Sequence, residues 1–282
     1  MAHHTKPSPK RFFAFKRSYL SFPYALFLLL FVLLPILIIV IYAFTETVPG
    51  PSGTETLVLS GAAFLSFFTS ATKLNVLVVS LFLGILNTLI CLLIGYPLAY
   101  LLANKKVNKN IVLVMLFVMP MWINFVLRTG ATRDVLSWMG IYGGAHPYVA
   151  TMIGLVYNYL PFTILPLYTT MLKLDKSQIE AARDLGANPV QTFLRSILPQ
   201  SIPGIVSAAE MVFMPTMSSY VISDTLSEGK LTLFGNIIYL NFSQSQWNEG
   251  SFMALVMLVL IAISMALTRR FRGDGERRVG AW

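Results

Sequence analysis

Residues 74–104 read LNVLVVSLFLGILNTLICLLIGYPLAYLLAN and contain no charged side chain. An apolar helix needs about 20 residues to cross the hydrocarbon core of a bilayer, so this run is long enough to span a membrane. Charge is also absent from 18–45 and from 135–172. Only 12% of the 282 residues are charged, whereas a water-soluble domain carries about 25%. A soluble chain would have to bury all of these stretches in one core, so the composition indicates an integral membrane protein.

The apolar runs predict an all-α membrane protein with six transmembrane helices. Their predicted limits are 22–44, 74–103, 111–127, 148–172, 202–222 and 251–267. Basic residues precede the first run in the manner of a signal peptide, but the run is too long for one, so we interpret it as a retained span. The chain then divides into a basic N-terminus (1–21), the first span, an outer loop (45–72), a core that holds the other five spans (73–268) and a basic tail (269–282). The outer loop turns apolar at 61–68, which predicts a short helix.

Basic residues are distributed unevenly between the predicted loops. If both termini are cytoplasmic, 17 of the 21 Lys and Arg residues lie on the cytoplasmic side. The outer side then holds only Lys73, Arg128, Arg133 and Lys230. Cytoplasmic loops carry the excess of Lys and Arg in membrane proteins, so we predict cytoplasmic termini and a cytoplasmic loop between the fourth and fifth spans. The net charge of +9 therefore reflects topology and does not indicate nucleic-acid binding.

Four prolines fall inside the predicted third, fourth and fifth spans: Pro120, Pro161, Pro166 and Pro215. Within a bilayer, the backbone groups that a proline frees must bond to protein or to water. Kinked helices therefore tend to face a cavity, and the prolines favour these three spans as its lining.

The predicted cytoplasmic loop at 174–201 reads LDKSQIEAARDLGANPVQTFLRSILPQS. Ser177 followed by Glu180 has the spacing of a capping box, which predicts the start of a helix. Gly186 suits the left-handed residue that ends a helix.

A second helix is predicted directly after the first. Asn188 is its expected cap, with Pro189 at the first helical position and Gln191 as the capping partner. This helix is expected to end before Pro199. The loop is therefore predicted to project from the membrane as two short helices at an angle.

The segment Glu180-Ala181-Ala182, followed by Gly186 and by Ile197-Leu198-Pro199, resembles the EAA loop of binding-protein-dependent ABC importer permeases. In that family the loop docks a short coupling helix into a cleft of a cytoplasmic ATPase. The resemblance implies the type I ABC importer transmembrane fold, with an EAA-like loop at 174–200. It also implies that coupling to the ATPase falls to Glu180, Ala181, Ala182, Gly186, Leu198 and Pro199.

The same resemblance implies a multi-pass protein of the bacterial cell membrane, surrounded by lipid, with three kinds of protein partner. These are a dimer of cytoplasmic ABC ATPases, a second homologous permease subunit and an extracytoplasmic binding protein. The chain itself is expected to be a transporter subunit and not an enzyme. Its Gly229-Lys230 pair is followed by Leu231, and Asp224 stands where a P-loop requires its first glycine. ATP hydrolysis is therefore expected of the partner, and no cofactor, metal ligand or catalytic residue is predicted.

A membrane-embedded enzyme and a scaffold without transport activity are the alternatives from other classes. An enzyme needs converging polar residues, whereas His3, His4 and His146 fall near the terminus or in an outer loop. A scaffold leaves the EAA-like loop without a purpose. Both alternatives are therefore disfavoured.

Residues 74–267 resemble in more detail the PotB-type permeases of spermidine/putrescine importers. The resemblance is carried by PMW at 120–122 leading to LRT at 127–129, by FMPTMSSYVISD at 213–224, and by GNII at 235–238 before QW at 246–247. The sequence departs from that group at 130–132, where Gly-Ala-Thr replaces the usual Tyr-Ala-Trp, so any aromatic contact made there is absent. The resemblance implies that this chain forms half of a pathway for polyamines.

The residue chemistry supports a cationic substrate independently. A polyamine requires carboxylates for its ammonium groups, and aromatic faces or carbonyls along its methylene chain. The predicted outer segments carry six carboxylates, namely Glu46, Glu55, Asp134, Asp224, Glu228 and Glu249.

Two carboxylates of the fifth span are the predicted stations for the substrate. Asp224 and Glu210 would lie roughly 21 Å apart if one helix carried both. A charged residue at the bilayer centre costs about 2.5–3.5 kcal/mol, so Glu210 is either functional, protonated or paired with a helix of a partner subunit. The predicted lining residues are Trp122, Tyr157, Asn158 and Tyr220.

Ferric iron, a phosphonate or a small organic acid is the alternative substrate. An anion would favour basic residues along the pathway, and Arg128 is the only obvious candidate. Spermidine and putrescine both fit the predicted chemistry, and in this family the soluble binding protein sets most of that choice.

Overall fold

The computed structural model describes residues 22–49, 55–104 and 112–279. The predicted basic N-terminus and the basic residues of the loop 105–110 lie outside the described residues. In chain order the elements are α1 (Phe22–Ala43), β1 (Thr45–Pro49), β2 (Glu55–Leu59), α2 (Ala62–Thr69), α3 (Ala71–Ala103), α4 (Val112–Trp122), α5 (Phe125–Trp138), α6 (Pro147–Met171), α7 (Lys176–Asp184), α8 (Pro189–Ser218), α9 (Val221–Ser227), α10 (Phe234–Ser243) and α11 (Trp247–Val279).

The transmembrane helices agree in number with the prediction. Five of the described helices are long and apolar enough to cross a bilayer, namely α1, α3, α6, α8 and the first part of α11, Trp247–Arg269. The pair α4 and α5 forms a sixth candidate span, bent by 100° at its break. The predicted all-α membrane fold with six spans is therefore confirmed.

The range 111–127 predicted a continuous third span, but the structure shows that this span is broken. The last turn of α4 is a 3-10 turn, Met119–Trp122, and α5 begins three residues later at Phe125. Pro120 cannot donate a backbone hydrogen bond, which weakens the helix before the break. The Asn124 side chain then caps α5 by accepting from the N–H of Val126 at 2.9 Å. A proline followed by a strong cap therefore starts a new helix in a new direction.

The fifth span also ends earlier than predicted. Its helix, α8, stops at Ser218; Ser219 has extended backbone angles, and α9 follows as a separate helix. Gly235 of α10 packs so closely here that a Cβ would come within 2.5 Å of the Ser218 carbonyl oxygen. Glu210 and Asp224 thus belong to different helices. The predicted separation of roughly 21 Å along one helix is wrong, because the estimate assumed an unbroken span.

α6 lies at the centre of the bundle and packs against α3, α5, α8 and α9. It remains one helix although it contains Pro161 and Pro166. Gly154 lets α9 approach it closely, since a Cβ at this position would come within 1.8 Å of the Leu226 side chain. α6, the predicted fourth span, is therefore the helix around which the other elements pack.

A hairpin and a short helix form the predicted outer loop. β1 and β2 pair antiparallel from Thr45 with Leu59 to Pro49 with Glu55, a hairpin that was not predicted. The helix expected at 61–68 is confirmed as α2. The side-chain amide of Asn248, at the start of α11, donates to the carbonyl oxygen of Thr45 at 2.6 Å and so ties the hairpin to the bundle.

Candidate functional site

α7 is a short helix that protrudes beyond the end of α6. None of its residues is buried. Its substantial contacts with other helices are all with the first turns of α8. Glu180 and Ala181 are exposed and Ala182 is half-buried. The three residues at the centre of the EAA-like motif are thus available to another protein.

The N-cap of α7 differs from the prediction. Oδ1 of Asp175 accepts hydrogen bonds from the Ser177 hydroxyl at 2.6 Å and from the Ser177 backbone N–H at 3.0 Å. These two bonds stabilise the carboxylate and hold the pKa of Asp175 below its usual range. The predicted capping box of Ser177 and Glu180 is wrong, because the Ser177 hydroxyl already bonds to an ionised acceptor.

Gly186 ends α7 as predicted. Its φ angle is +82°, in the left-handed region that disfavours side chains. The N–H of Gly186 donates to the carbonyl of Arg183 at 2.9 Å, and that of Ala187 donates to the carbonyl of Ala182 at 3.1 Å. A Cβ built on Gly186 would have no neighbour within 4 Å, so backbone strain alone selects glycine here.

Asn188 caps the next helix as predicted. Its Oδ1 accepts from the N–H of Gln191 at 2.8 Å, and the Gln191 side chain accepts from the N–H of Asn188 at 3.0 Å. Pro189 occupies the first helical position. The capping box therefore marks the start of α8.

The second short helix was wrongly expected to end before Pro199. α8 continues through a π turn, Phe193–Ile197, in which the N–H of Leu198 bonds to the carbonyl of Phe193. This wider turn shifts the hydrogen-bond pattern by one residue, so the N–H that Pro199 lacks is not needed. The cap region and the fifth span therefore form one continuous helix.

Exposed apolar side chains surround this joint between α7 and α8. Leu185 is 88% exposed, and Val190 and Leu194 are also exposed, while Leu198 is half-buried and Pro199 exposed. Adjacent exposed apolar groups at the edge of a membrane protein are typical of a protein-docking surface. Sequence reasoning did not single out Leu185, although it directly precedes Gly186.

Arg128 connects the break between α4 and α5 to α6. Its Nη1 donates to the carbonyl oxygen of Pro120 at 2.7 Å, and its Nε donates to Oδ1 of Asn158 on α6 at 2.8 Å. The guanidinium also lies over the ring of Tyr157, 5.7 Å from its centre. Of the predicted lining residues near this break, Asn158 is fully buried, Tyr157 is partly exposed and Trp122 is 89% exposed.

An aromatic pair and a carboxylate lie where α9 begins. The rings of Tyr220 and Tyr239 are stacked, with centroids 4.5 Å apart and planes inclined by 8°. Asp224 follows Tyr220 by one helical turn, and its N–H donates to the carbonyl of Tyr220 at 2.9 Å. Asp224 and both tyrosines are exposed. Two of the predicted site residues are thus brought together.

Glu210 lies in a different environment from Asp224. Its carboxylate accepts a hydrogen bond from the hydroxyl of Thr268 on α11. The two side chains line a groove of about 330 Å³ that is walled mainly by apolar residues, including Leu89 of α3 and Phe213 of α8. The structure therefore does not bring Glu210 and Asp224 into one cluster.

Residues 10–274 match the family described as binding-protein-dependent transport system inner membrane component. The chain belongs to this family. PotB of the spermidine/putrescine transport system of Haemophilus influenzae is 39% identical over 199 residues, which cover 65% of this chain and 70% of that protein. PotB of Escherichia coli K12 is 33% identical over 262 residues, which cover 84% of this chain and 91% of that protein.

A solved structure shares the fold of this permease. One chain of a bacterial alginate ABC transporter, crystallised in complex with an alginate pentasaccharide-bound periplasmic protein, superposes with a TM-score of 0.65. The match covers 91% of the permease and 94% of that chain at 16% identity, so it shows the fold alone. The predicted type I importer fold and the resemblance to PotB-type permeases are both confirmed.

Sequence reasoning missed three contributors to the site of this permease. Arg128 was counted among the outer basic residues and named as a contact for an anion, because the predicted third span ended at residue 127; its bond to the buried Asn158 was not foreseen. Asp175 has the side chain of an N-cap residue, but the capping-box spacing of Ser177 and Glu180 was preferred to it. Tyr239 gave no signal, because it is 19 positions from Tyr220 and only the fold brings the rings together.

Proposed function

We propose that this permease forms half of a translocation pathway for polyamines such as spermidine and putrescine. The observation that carries the proposal is an exposed carboxylate, that of Asp224, one helical turn after Tyr220, whose ring stacks on that of Tyr239. The identity of 33–39% to proteins named for spermidine/putrescine transport supports it.

The cluster matches the chemistry of a polyamine. A carboxylate binds an ammonium group through charge-assisted hydrogen bonds. Aromatic faces accept both the cation and the adjoining methylene groups. Asp224 contributes one carboxylate only, and weak single contacts suit a pathway, since a transported solute must leave each site as well as enter it.

The proposal extends to the partners. We propose that α7 and the first turns of α8 dock into a cytoplasmic ABC ATPase dimer through Glu180, Leu185 and Val190. A second permease subunit would complete the pathway, and an extracytoplasmic polyamine-binding protein would deliver the substrate. Both termini would then be cytoplasmic, as the distribution of Lys and Arg favours.

The environment of Arg128 disfavours an anionic substrate. Two of its nitrogens are engaged by Pro120 and Asn158, and its side chain is only 7% exposed. The remaining N–H donors belong to a residue that is almost wholly buried, so an anion has little access to them. The predicted contact for a phosphonate or an organic acid is therefore buried and partly engaged within the chain.

Uptake by the reconstituted importer tests the proposal. The complete complex in proteoliposomes, with ATP inside and the binding protein outside, should accumulate labelled spermidine. Excess putrescine should compete, whereas ferric citrate, methylphosphonate and succinate should not. Accumulation of one of these three, without uptake of either polyamine, would refute the proposed substrate and leave the family assignment unchanged.

A further inference from the structure

Two of the spans are discontinuous, and α6 touches both breaks through neighbouring residues. The first break separates α4 from α5, and the second separates α8 from α9. Asn158 and Tyr159, consecutive on α6, each lead to a proline carbonyl at one of these breaks. Backbone outside regular helix is tolerated at membrane depth only where protein or water satisfies it.

The link to the first break runs through Arg128. Oδ1 of Asn158 accepts from Nε of Arg128 at 2.8 Å, and Nη1 of Arg128 donates to the Pro120 carbonyl at 2.7 Å. The amide of Asn158 is oriented by its own helix, since Nδ2 donates to the Gly154 carbonyl at 2.8 Å. Asn158 is completely buried. The link is therefore built from directed bonds with little freedom to rotate.

The link to the second break is direct. The hydroxyl of Tyr159 donates to the Pro215 carbonyl at 3.2 Å, within the last turn of α8. That carbonyl would bond to the N–H of Ser219 if the helix continued, but the helix ends at Ser218. Tyr159 is 7% exposed and belongs to the cluster of buried residues that includes Val212 of α8 and Leu226 of α9.

We propose that Asn158, Tyr159 and Arg128 are positioning residues that relay movement of α8 to the break in the third span. α8 follows the exposed cap Asn188 and is one continuous helix to Ser218, and the relay requires that it move as one body. Tyr159 passes that movement to α6, and Asn158 passes it on to Arg128 and Pro120. The relay rests on the proposed coupling of α7 and α8 to an ATPase, but it does not depend on which solute is carried.

The two links act in series, so the experiment must measure movement at each break separately. A cysteine at position 123 reports on the first break and a cysteine at position 218 reports on the second. Ile123 and Ser218 are both exposed. The Ser218 hydroxyl also donates to the Pro215 carbonyl at 3.2 Å, so Ser218→Cys is used only after it has been shown to retain native uptake. The native Cys91 is fully buried, so the unmodified chain provides the blank. The experiment compares labelling by a water-soluble maleimide in the complete importer, nucleotide-free and trapped with ATP and vanadate.

In the native background, labelling at both positions should change when nucleotide is trapped. Asn158→Leu and Tyr159→Phe should each leave the change at 218 intact. Each should reduce the difference in labelling rate at 123, between the nucleotide-free and the trapped importer, to less than about twofold. The reason is that losing one hydrogen bond to a charged or buried group weakens the coupling between the two breaks by roughly tenfold. The double variant should resemble either single variant, since links in series are not additive.

Two further variants separate a relay from general loosening of the bundle. Asn158→Asp keeps an acceptor for Arg128 and should preserve the response at 123. Tyr168→Phe makes the same change as Tyr159→Phe on the same helix, nine positions away, and should also preserve it. A response at 123 that survives Asn158→Leu and Tyr159→Phe, while 218 still responds, would overturn the relay. If 218 itself fails to respond in the native background, the coupling to the ATPase is refuted and the relay with it.

Discussion

Nζ of Lys73, at the start of α3, lies 2.7 Å from Oε2 of Glu249, at the start of α11. The hydroxyl of Ser66 on α2 donates to the other carboxylate oxygen at 3.1 Å, and Nζ also donates to this hydroxyl at 2.8 Å. Three helices are joined at this point. The carboxylate of Glu249 therefore joins these helices and is already paired with a cation.

This pair corrects the count of outer charges made from the sequence. Six carboxylates stood against four basic residues, which favoured a cationic substrate. Glu249 bonds to Lys73, Asp134 bonds to Arg133 at 3.2 Å, and Glu46 accepts from Ser60 at 3.0 Å. A count cannot show pairing between residues 176 positions apart. The argument for a cation consequently rests on Asp224 and its aromatic neighbours, not on net charge.

We expect Glu249→Gln to destabilise the permease slightly without changing its affinity for substrate. The pair is partly exposed, so its loss should cost less than about 1 kcal/mol. Thermal unfolding in detergent measures the change, and Lys73→Met should cause a similar one. Asp134→Asn is the matched control, because the Arg133–Asp134 pair joins adjacent residues of one helix and should have no measurable effect. An altered KM for uptake in Glu249→Gln would contradict a purely structural role.

Asp224→Asn should reduce uptake of spermidine about tenfold at low concentration, the effect of losing one charge-assisted hydrogen bond. The change keeps the size of an exposed side chain at the same position of α9, so assembly of the importer should persist. Tyr239→Leu should have a smaller effect in the same direction, because it removes one ring of the stack. Uptake by Asp224→Asn at the native rate would show that this carboxylate is no part of the pathway.

Glu210→Gln should reduce uptake less than Asp224→Asn. An amide still accepts the bond from Thr268, and the groove around both residues is mainly apolar. Thr268→Val separates two roles, because it removes the bond but retains the carboxylate. If Glu210 is only structural, Thr268→Val lowers the thermal stability and neither variant changes uptake. If it is a second station, Glu210→Gln alone lowers uptake.

The features that were predictable from the sequence are those encoded locally. Charge-free runs gave the spans, and the residues around Gly186 and Asn188 gave the positive φ and the cap. The errors arose where two local signals competed. Asp175 supplied a better acceptor than the Ser177 spacing suggested, and a π turn absorbed Pro199.

The contacts around the breaks were not predictable, because tertiary packing forms them. Nothing near Asn158 in the chain indicates that it bonds to Arg128, 30 positions away. Exposed aromatic and carboxylate residues could be named as candidates from their chemistry. Which of them share a site depends on how α9 and α10 pack beside the end of α8, and this is a property of the fold.

The predicted topology can be tested with two single cysteines. Asn188→Cys, at the cap of α8, should resist an impermeant maleimide in intact cells and react once the cells are opened. Leu59→Cys, 88% exposed in the hairpin, should react in intact cells. Cys91 is fully buried and should contribute little background. The opposite pattern at both positions would reverse the orientation of every span.

The final prediction concerns the angle between α7 and α8, which depends on the left-handed conformation of Gly186. Gly186→Val should abolish the ATP hydrolysis that the loaded binding protein stimulates, because a β-branched residue at φ +82° costs roughly 1–3 kcal/mol and shifts the helix end. Gly186→Asn should retain part of the stimulation, since asparagine tolerates this conformation.

Gly61→Val is the matched control for these variants. Gly61 also has open space around its Cβ position, but its φ is −95°, so valine there meets neither a clash nor left-handed strain. Membrane insertion should be unchanged in all three variants, as measured by the yield of folded permease. Because α8 is continuous from Asn188 to Ser218, an altered angle at Gly186 displaces the whole docking end relative to the span. Full stimulation in Gly186→Val would show that coupling does not depend on the orientation of α7 and passes through the exposed end of α8 alone.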